Sequence, residues 1–251
     1  MKPNRIKDKI ARGLPALGCS LMFPSPQIVE ILGYVGFDFV LLDCEHGSIG
    51  PSDLELMAIA SDAVGITAIA RPRTNAASDI QSVMDRGVMG VQVPQVDTAE
   101  DARRAVAAVK FGPGAARGLA AATRPDRWGL GARMPDYIAA ANRASLVCVQ
   151  LEHQRALDNI DAILAVAGID VVFIGPSDLS QSLGHPGEPK APAVAQAIAA
   201  AVAKIRAAGL TPGMPASADT LAEVTAMGCR YVYTHLPRLL GAGAARFLEQ
   251  G

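Results

Sequence analysis

LVCVQLEHQRALDNIDAILAVAGIDVVFIGPSDLS, residues 146–180, holds in miniature the pattern of the whole chain. Leu146–Leu151 is a short apolar run rich in β-branched residues, and Leu157–Ala167 carries apolar residues at helical spacing and stops at Gly168. A second apolar run, Val171–Ile174, is closed by Gly175-Pro176. Strand, helix and strand in such close order predict a parallel pair joined by a crossover helix. The same alternation extends both ways. Further strand candidates are Ala16–Leu21, Asp38–Asp43, Thr67–Ala70, Gly90–Val93, Thr211–Met214 and Tyr231–Thr234. Helical stretches lie between them: Pro26–Val35, Ser52–Ala63, Ala77–Arg86, Ala99–Val109, Ala193–Ala208, Ala218–Met227 and Arg238–Leu248. Many end one or two residues before a glycine, the usual helix stop. Eight strand–helix repeats in 251 residues predict an α/β protein, a (β/α)8 TIM barrel forming a single domain over residues 1–251. An open doubly wound sheet is the alternative, but no G-x-G-x-x-G follows an early strand.

Composition narrows the function. Half the residues are apolar, 23 basic side chains balance 24 acidic ones, and aromatics make up 4%. Without a basic block or stacking platforms, nucleic acid is excluded as a partner. No apolar stretch reaches the roughly 18 residues that span a bilayer, so no membrane association is expected. Lys2–Lys9 followed by Leu14–Phe23 faintly resembles a signal peptide, but Asp8 and Pro15 interrupt the pattern, and a helix followed by a strand is expected instead. Cys19, Cys44, Cys148 and Cys229 lack C-x-x-C spacing and fall in or beside apolar runs, which predicts buried reduced thiols and a cytoplasmic location. Phe111–Arg143, rich in Gly, Pro and Arg and holding the single tryptophan, Trp128, is longer than a standard connection. It reads either as a lid or binding loop, or as an oligomer contact.

In such a barrel the chemistry collects at the C-terminal ends of the strands. There the sequence places Asp43-Cys44-Glu45-His46-Gly47, Arg71-Pro72-Arg73, Gln150-Leu151-Glu152-His153, Gly175-Pro176-Ser177-Asp178 and Thr234-His235. Alternation along a strand puts Cys148, Gln150 and Glu152 on one face and the aliphatic Val147, Val149 and Leu151 on the other, so the polar set faces the barrel interior. An interior carboxylate must meet a cation or protonate. Asp178, one strand further round, can join Glu152 in holding a hard divalent metal ion. Each acid taken alone reads as a surface or ion-pair residue; it is the two together at adjacent strand ends that point to a metal. Ser177-Asp178-Leu179-Ser180 reads as a helix start with Ser177 as N-cap. The amides of Ser177 and Asp178 there either receive a substrate carboxylate or form a cap without a ligand. All six lysines lie away from predicted strand ends, which disfavours imine chemistry. The loops after strands seven and eight lack the glycines of a phosphate site, and no H-x-H pair exists for an amidohydrolase-type metal centre.

Asp43-x-Glu45-His46-Gly47, Arg71-Pro72, Asp85-x-Gly87, Val93-Pro94, Arg117-Gly118, Gln150-x-Glu152 and Gly175-Pro176-Ser177-Asp178-Leu179-Ser180 stand in order over most of the chain. With them the sequence resembles the HpcH/HpaI family of metal-dependent class II pyruvate aldolases, which includes 4-hydroxy-2-oxoheptanedioate and 2-keto-3-deoxy sugar acid aldolases. The resemblance implies a (β/α)8 barrel that exchanges its C-terminal helix between subunits and assembles as a homohexamer. It implies metal carboxylates at Glu152 and Asp178, with Mg²⁺ or Mn²⁺ as the first choice and Co²⁺ or Zn²⁺ as alternatives. His46 corresponds to the base, supported by Asp43 and Asp85 across the subunit boundary or the barrel rim. Arg71 corresponds to the enolate-stabilising arginine, and substrate contacts fall on Arg71, Gln150, Gly175, Ser177 and Asp178. Two departures concern the aldehyde side: Phe111–Gly118 keeps only part of the family's proline-rich loop, and His153 stands where a small hydroxyl residue is usual. Arg117, Arg124 and Arg127 are candidates for an acceptor carboxylate, with solvated arginines as the alternative. The implied activity is reversible retro-aldol cleavage of a 4-hydroxy-2-oxo acid to pyruvate, or a close 2-oxo acid, and an aldehyde. An acyl-CoA lyase and a non-catalytic keto-acid-binding barrel are the competing readings.

Overall fold

The computed structural model describes residues 2–250. Eight parallel strands close into one barrel in strict sequence order, β1 pairing with both β2 and β8. They are β1 (Ala16–Leu21), β2 (Phe39–Asp43), β3 (Thr67–Arg71), β4 (Gly90–Val93), β5 (Leu146–Leu151), β6 (Val171–Ile174), β7 (Thr211–Pro215) and β8 (Tyr231–His235). A short helix α1 (Arg5–Ala11) precedes them. Around the barrel run α2 (Pro26–Val35), α3 (Pro51–Val64), α4 (Ala77–Met84), α5 (Ala99–Val109), α6 (Met134–Ala144), α7 (Gln154–Asp158), α8 (Ile160–Leu164), α9 (Pro176–Ser182), α10 (Pro192–Ala207), α11 (Leu221–Ala226) and α12 (Leu236–Leu248). The N-terminal segment is thus a helix followed by a strand, as expected.

Two apolar clusters follow from strand alternation. Val40, Leu42, Val91, Val147, Val149, Leu151 and Val172 face outward and pack under the helices. Phe39, Leu41, Ile69, Leu146, Cys148, Val171, Phe173, Tyr231 and Tyr233 fill the interior. Inside, Phe39 stacks on Tyr231 with ring centroids 4.5 Å apart, and Phe173 stacks on Tyr233 at 5.0 Å. Helix α1 plugs the N-terminal mouth by sending Ile6 into this cluster. Its N-cap Asn4 accepts from the amide of Ile6 at 3.1 Å and donates to the carbonyls of Met89 and Ala144, at 3.1 and 2.9 Å, just ahead of β4 and β5. The four cysteines are buried and unpaired. Burial pushes the Cys19 thiol up to about 12 and the Cys44 and Cys229 thiols to about 11, so they are inert.

Three expectations change. The single helix over Leu157–Ala167 is two short ones, because the Asn159 side chain donates to the carbonyls of Asp97 and Arg155 and leaves the helical conformation at φ −99°, ψ 7°. Ser177 is not an N-cap. Gly175 is, since Pro176 takes the first helical position, where its missing N–H costs nothing. The third change concerns residues 111–143, which connect the end of α5 to the start of β5 and therefore lie at the N-terminal face. Their contacts agree: Arg124 pairs with Asp62 near the end of α3, and Arg117 with Asp85 just past α4. The segment holds a 3₁₀ turn over Arg124–Gly129 and most of α6. It cannot serve as a lid over this chain's own C-terminal rim, nor can Arg117, Arg124 or Arg127 reach a substrate there.

Gly18 shows how tightly the interior is filled: a Cβ at this position would lie 2.4 Å from the Phe39 ring. Gly18→Ala should therefore destabilise the fold by about 1–3 kcal/mol through overpacking, read as a lower denaturation midpoint in urea. An unchanged midpoint would contradict the close approach of Gly18 to the Phe39 ring.

Candidate active site

The inward positions turn polar towards the C-terminal rim. Asp43 and Arg71 end neighbouring strands and sit opposite each other in register. Arg71 grips Asp43 with two hydrogen bonds, Nε to Oδ1 at 2.9 Å and Nη2 to Oδ2 at 2.5 Å, and both residues are buried. Burial works against the ionised carboxyl of Asp43. The Arg71 hydrogen bond and charge, with the amides of His46 and Glu45, outweigh it and hold the group below its ordinary 3.8. Arg71 is likewise opposed by burial and held protonated by Asp43.

Asp43 also shapes the loop that follows. Its Oδ1 accepts from the amides of Glu45 at 3.1 Å and His46 at 3.2 Å. The turn then passes through Gly47, where a Cβ would lie 2.1 Å from the Asp43 carbonyl oxygen and 2.6 Å from that of Met22. Only glycine permits this approach. The turn leaves His46 at the rim with its side chain 57% exposed. Glu45 folds back so that its Oε2 lies 3.3 Å from Arg71 Nε and 4.0 Å from His46 Nε2. Burial, with the charge of Glu152 nearby, raises the Glu45 pKa against the pull of Arg71.

A second polar chain crosses β4, β5 and β8. Gln92 donates to Gln150 Oε1 at 2.5 Å and to the Tyr233 hydroxyl at 3.3 Å, and Gln150 in turn donates to Glu152 Oε2. The other carboxylate oxygen of Glu152 accepts from the Gln95 amide at 2.7 Å. Burial raises the Glu152 pKa although these hydrogen bonds oppose it, and the Asp178 charge raises it further. Gly175 lies against Glu152, and a Cβ there would come 3.2 Å from Glu152 Cβ. Asp178 and Ser177 are exposed in the first turn of α9, and no hydrogen bond or ion pair engages the Asp178 carboxylate among the described residues.

No group of three or more His, Cys, Asp or Glu side chains converges among the described residues. Glu152 and Asp178 supply two neighbouring carboxylates, neither in an ion pair with a basic side chain. Hard oxygen donors of this number fit a divalent cation that keeps several waters.

The structure brings Asp43, His46, Arg71, Gln150, Glu152, Gly175, Ser177 and Asp178 to one rim. Asp85 lies elsewhere. It follows α4 at the opposite end of the barrel, where its carboxylate meets Arg117 at 3.4 Å. Within one chain it cannot support His46, which removes the rim alternative and leaves the subunit boundary. His153 also points away from the interior and sits on Asp97. Sequence reading assigned no role to Glu45, Gln92, Gln95, Tyr233 or His235. Gln92, alone among the valines of β4, was the available signal for an inward polar residue. His235, half-buried in the last position of β8, has its pKa lowered by burial and by Arg238 and Arg71.

A closed (β/α)8 barrel with acids, an arginine and a histidine gathered at its C-terminal rim defines an enzyme scaffold of the TIM-barrel class. The family model for HpcH/HpaI aldolase/citrate lyase matches residues 18–228. A 4-hydroxy-2-oxo-heptane-1,7-dioate aldolase from Salmonella dublin is 38% identical over 97% of this chain and 94% of its own length. A hydroxypyruvate/pyruvate aldolase from Sagittula stellata is 36% identical over 89% of this chain and 87% of its own. The crystal structure of an HpcH/HpaI aldolase/citrate lyase family protein from Burkholderia cenocepacia superposes with a TM-score of 0.92 at 27% identity, covering 98% of both chains. The chain belongs to the HpcH/HpaI aldolase/citrate lyase family, which is metal-dependent.

Removing one partner of a buried pair typically costs about 3–5 kcal/mol, so Asp43→Ala should lower stability by that order at pH 7. Because the folded Asp43 pKa is depressed, its contribution is complete above the unfolded value near 3.8 and is lost as pH falls through the folded one. The stability gap between wild type and variant, measured by urea denaturation, should hold constant from pH 7 to about pH 5 and narrow below 3.8.

Proposed function

We propose that this chain is a pyruvate aldolase, a carbon–carbon lyase that cleaves a 4-hydroxy-2-oxo acid to pyruvate, or a close 2-oxo acid, and an aldehyde, and runs the reverse addition. The observation carrying this reading is the buried Asp43–Arg71 pair set on the same rim as the Glu152–Asp178 carboxylates. It is supported by the aldolases of this family at 36–38% identity.

In the cleavage direction the C4 hydroxyl gives up its proton, the C3–C4 bond breaks, and its electron pair passes onto C3 and the 2-oxo oxygen while the aldehyde departs. Glu152 and Asp178 would hold the divalent cation, with Mg²⁺ or Mn²⁺ preferred to Co²⁺ or Zn²⁺. When bound it acts as a Lewis acid on the 2-oxo acid. Arg71, already oriented by Asp43, presents its guanidinium to the negative charge that develops as the enolate forms. His46, exposed at the rim beside Glu45, moves the proton, the general acid–base task that a positioned histidine most often performs. Gln150, braced by Gln92, lines the 2-oxo acid side, and the small Gly175 keeps that side open. The amides of Ser177 and Asp178 point a positive helix end at the substrate carboxylate. Asp85 reaches a His46 only if supplied by a neighbouring subunit.

Assembly through the C-terminal helix is part of the same reading. Helix α12 leaves the barrel with Leu240, Phe247 and Leu248 exposed. Beside β1 and β8 lies an apolar groove of about 250 Å³, lined in part by Leu17, Phe37 and Leu221 and by Leu239 from the start of α12. Exchange of α12 between two copies fills both grooves and builds the dimer of a hexamer. Among the described residues no helix is long and apolar enough to cross a membrane, and the four free thiols fit a cytoplasmic enzyme.

Two experiments test these statements. In D₂O, the methyl group of pyruvate should exchange deuterium in the presence of Mg²⁺ or Mn²⁺, followed by NMR. Exchange should stop with EDTA or in Glu152→Gln, and fall about 100-fold or more in Arg71→Ala. Cation-independent exchange, or none with any cation, would refute the enolate reading. For assembly, Phe247→Glu combined with Leu248→Glu should convert the oligomer to smaller species in light scattering; an unchanged mass would rule out helix exchange.

A further inference from the structure

The Gln95 backbone is unusual. Its φ is +55°, in the left-handed region that a residue bearing a Cβ seldom enters. The side chain is exposed, so no burial of its own explains the conformation. What the conformation achieves is the 2.7 Å hydrogen bond from the Gln95 amide to Glu152 Oε1. Strained backbone persists only where its surroundings over-determine it, and here those surroundings are visible. On one side, the Val96 amide donates to the Gln150 carbonyl at 3.2 Å, which joins the loop to the end of β5. On the other, Asp97 is held at four points. Its amide donates to Asp101 Oδ2 at 3.2 Å, its carbonyl accepts from Asn159 at 3.0 Å, and its two carboxylate oxygens lie 3.0 and 3.2 Å from His153 Nδ1.

His153 follows Glu152 directly, so the Asp97–His153 contact ties the loop after β4 to the loop after β5 from the outside. The Gln95–Glu152 contact ties the same two loops from the inside. Together they form a closed ring around the carboxylate. The contact with Asp97 requires only that Nδ1 carry a hydrogen, and so does not depend on the state of the other ring nitrogen.

We infer that Asp97 and His153 are positioning residues that lock the left-handed Gln95 amide onto Glu152 and thereby set the site's affinity for its divalent cation. The inference rests on the proposed metal role of Glu152. Outer partners of a metal ligand typically change affinity about 10- to 100-fold when removed. The ring also specifies what this chain gains from a histidine after the glutamate: an imidazole spans the distance to Asp97.

Mn²⁺ binding to the full-length protein, followed by the loss of the free-ion EPR signal, tests it. Asp97→Ala and His153→Ala should each raise the Mn²⁺ dissociation constant about 10-fold, and the double variant should be no worse than either single one. Asp97→Asn, which keeps an acceptor for Nδ1–H, should bind within about 3-fold of wild type, on the same scale. The His153 side chain is 39% exposed, so its truncation leaves the core intact, and melting temperatures in EDTA should match wild type. Unchanged Mn²⁺ affinity in both alanine variants would overturn the clamp while leaving the metal site standing. Failure of wild type itself to bind Mn²⁺, or an affinity loss in Glu152→Gln no larger than in a remote control, would overturn both.

Discussion

The bidentate contact between Asp43 and Arg71 is the interaction on which the rest of the rim depends. Two opposite charges at the ends of adjacent strands are taken out of water, and each is tolerable only because the other is there. One oxygen of Asp43 also receives the amides of Glu45 and His46, so the same carboxylate that neutralises the arginine sets the direction in which the chain leaves β2. The register of the barrel makes this possible, since Asp43 and Arg71 pair only when β2 and β3 lie in this alignment. A slip of one residue would turn the side chain of the strand that moves into the helix layer and part the pair. Barrel closure and orientation of the guanidinium are therefore one constraint.

The interior divides along the barrel axis. Towards the N-terminal mouth it is aromatic and aliphatic, stacked and plugged by Ile6. Towards the C-terminal mouth it becomes a chain of amides, a phenol and carboxylates running from Tyr233 through Gln92 and Gln150 to Glu152. Tyr233 belongs to both halves, its ring stacked on Phe173 and its hydroxyl accepting from Gln92. The apolar layer below keeps water out and so strengthens the electrostatics of the polar layer above.

Much of this was readable in the chain because strands alternate. Val147, Val149 and Leu151 against Cys148, Gln150 and Glu152 leave one sensible assignment of inside and outside, and the structure has it. The eight repeats were legible because each strand is a short β-branched run between helical stretches that end near glycine. The break at Asn159 was not legible, because it depends on a hydrogen bond to the Asp97 carbonyl, a residue more than sixty positions away. The left-handed Gln95 left no trace either, since glutamine carries no signal for positive φ. The excursion over residues 111–143 was misplaced for a different reason. Its composition suited a lid or binding loop and an oligomer contact alike, and its place after a helix and before a strand assigns it to the N-terminal face, which removes only the lid over its own rim. Topology outranks composition there.

That placement bears on how the molecule can be watched. The single indole in the chain, Trp128, is 57% exposed and sits on the excursion, with the whole length of the barrel between it and the chemistry. The tyrosines nearest the rim are locked in the stacked interior. Intrinsic tryptophan emission is therefore a channel tuned to the far end of the barrel, and it reports on whatever packs against that face, another copy of this chain included.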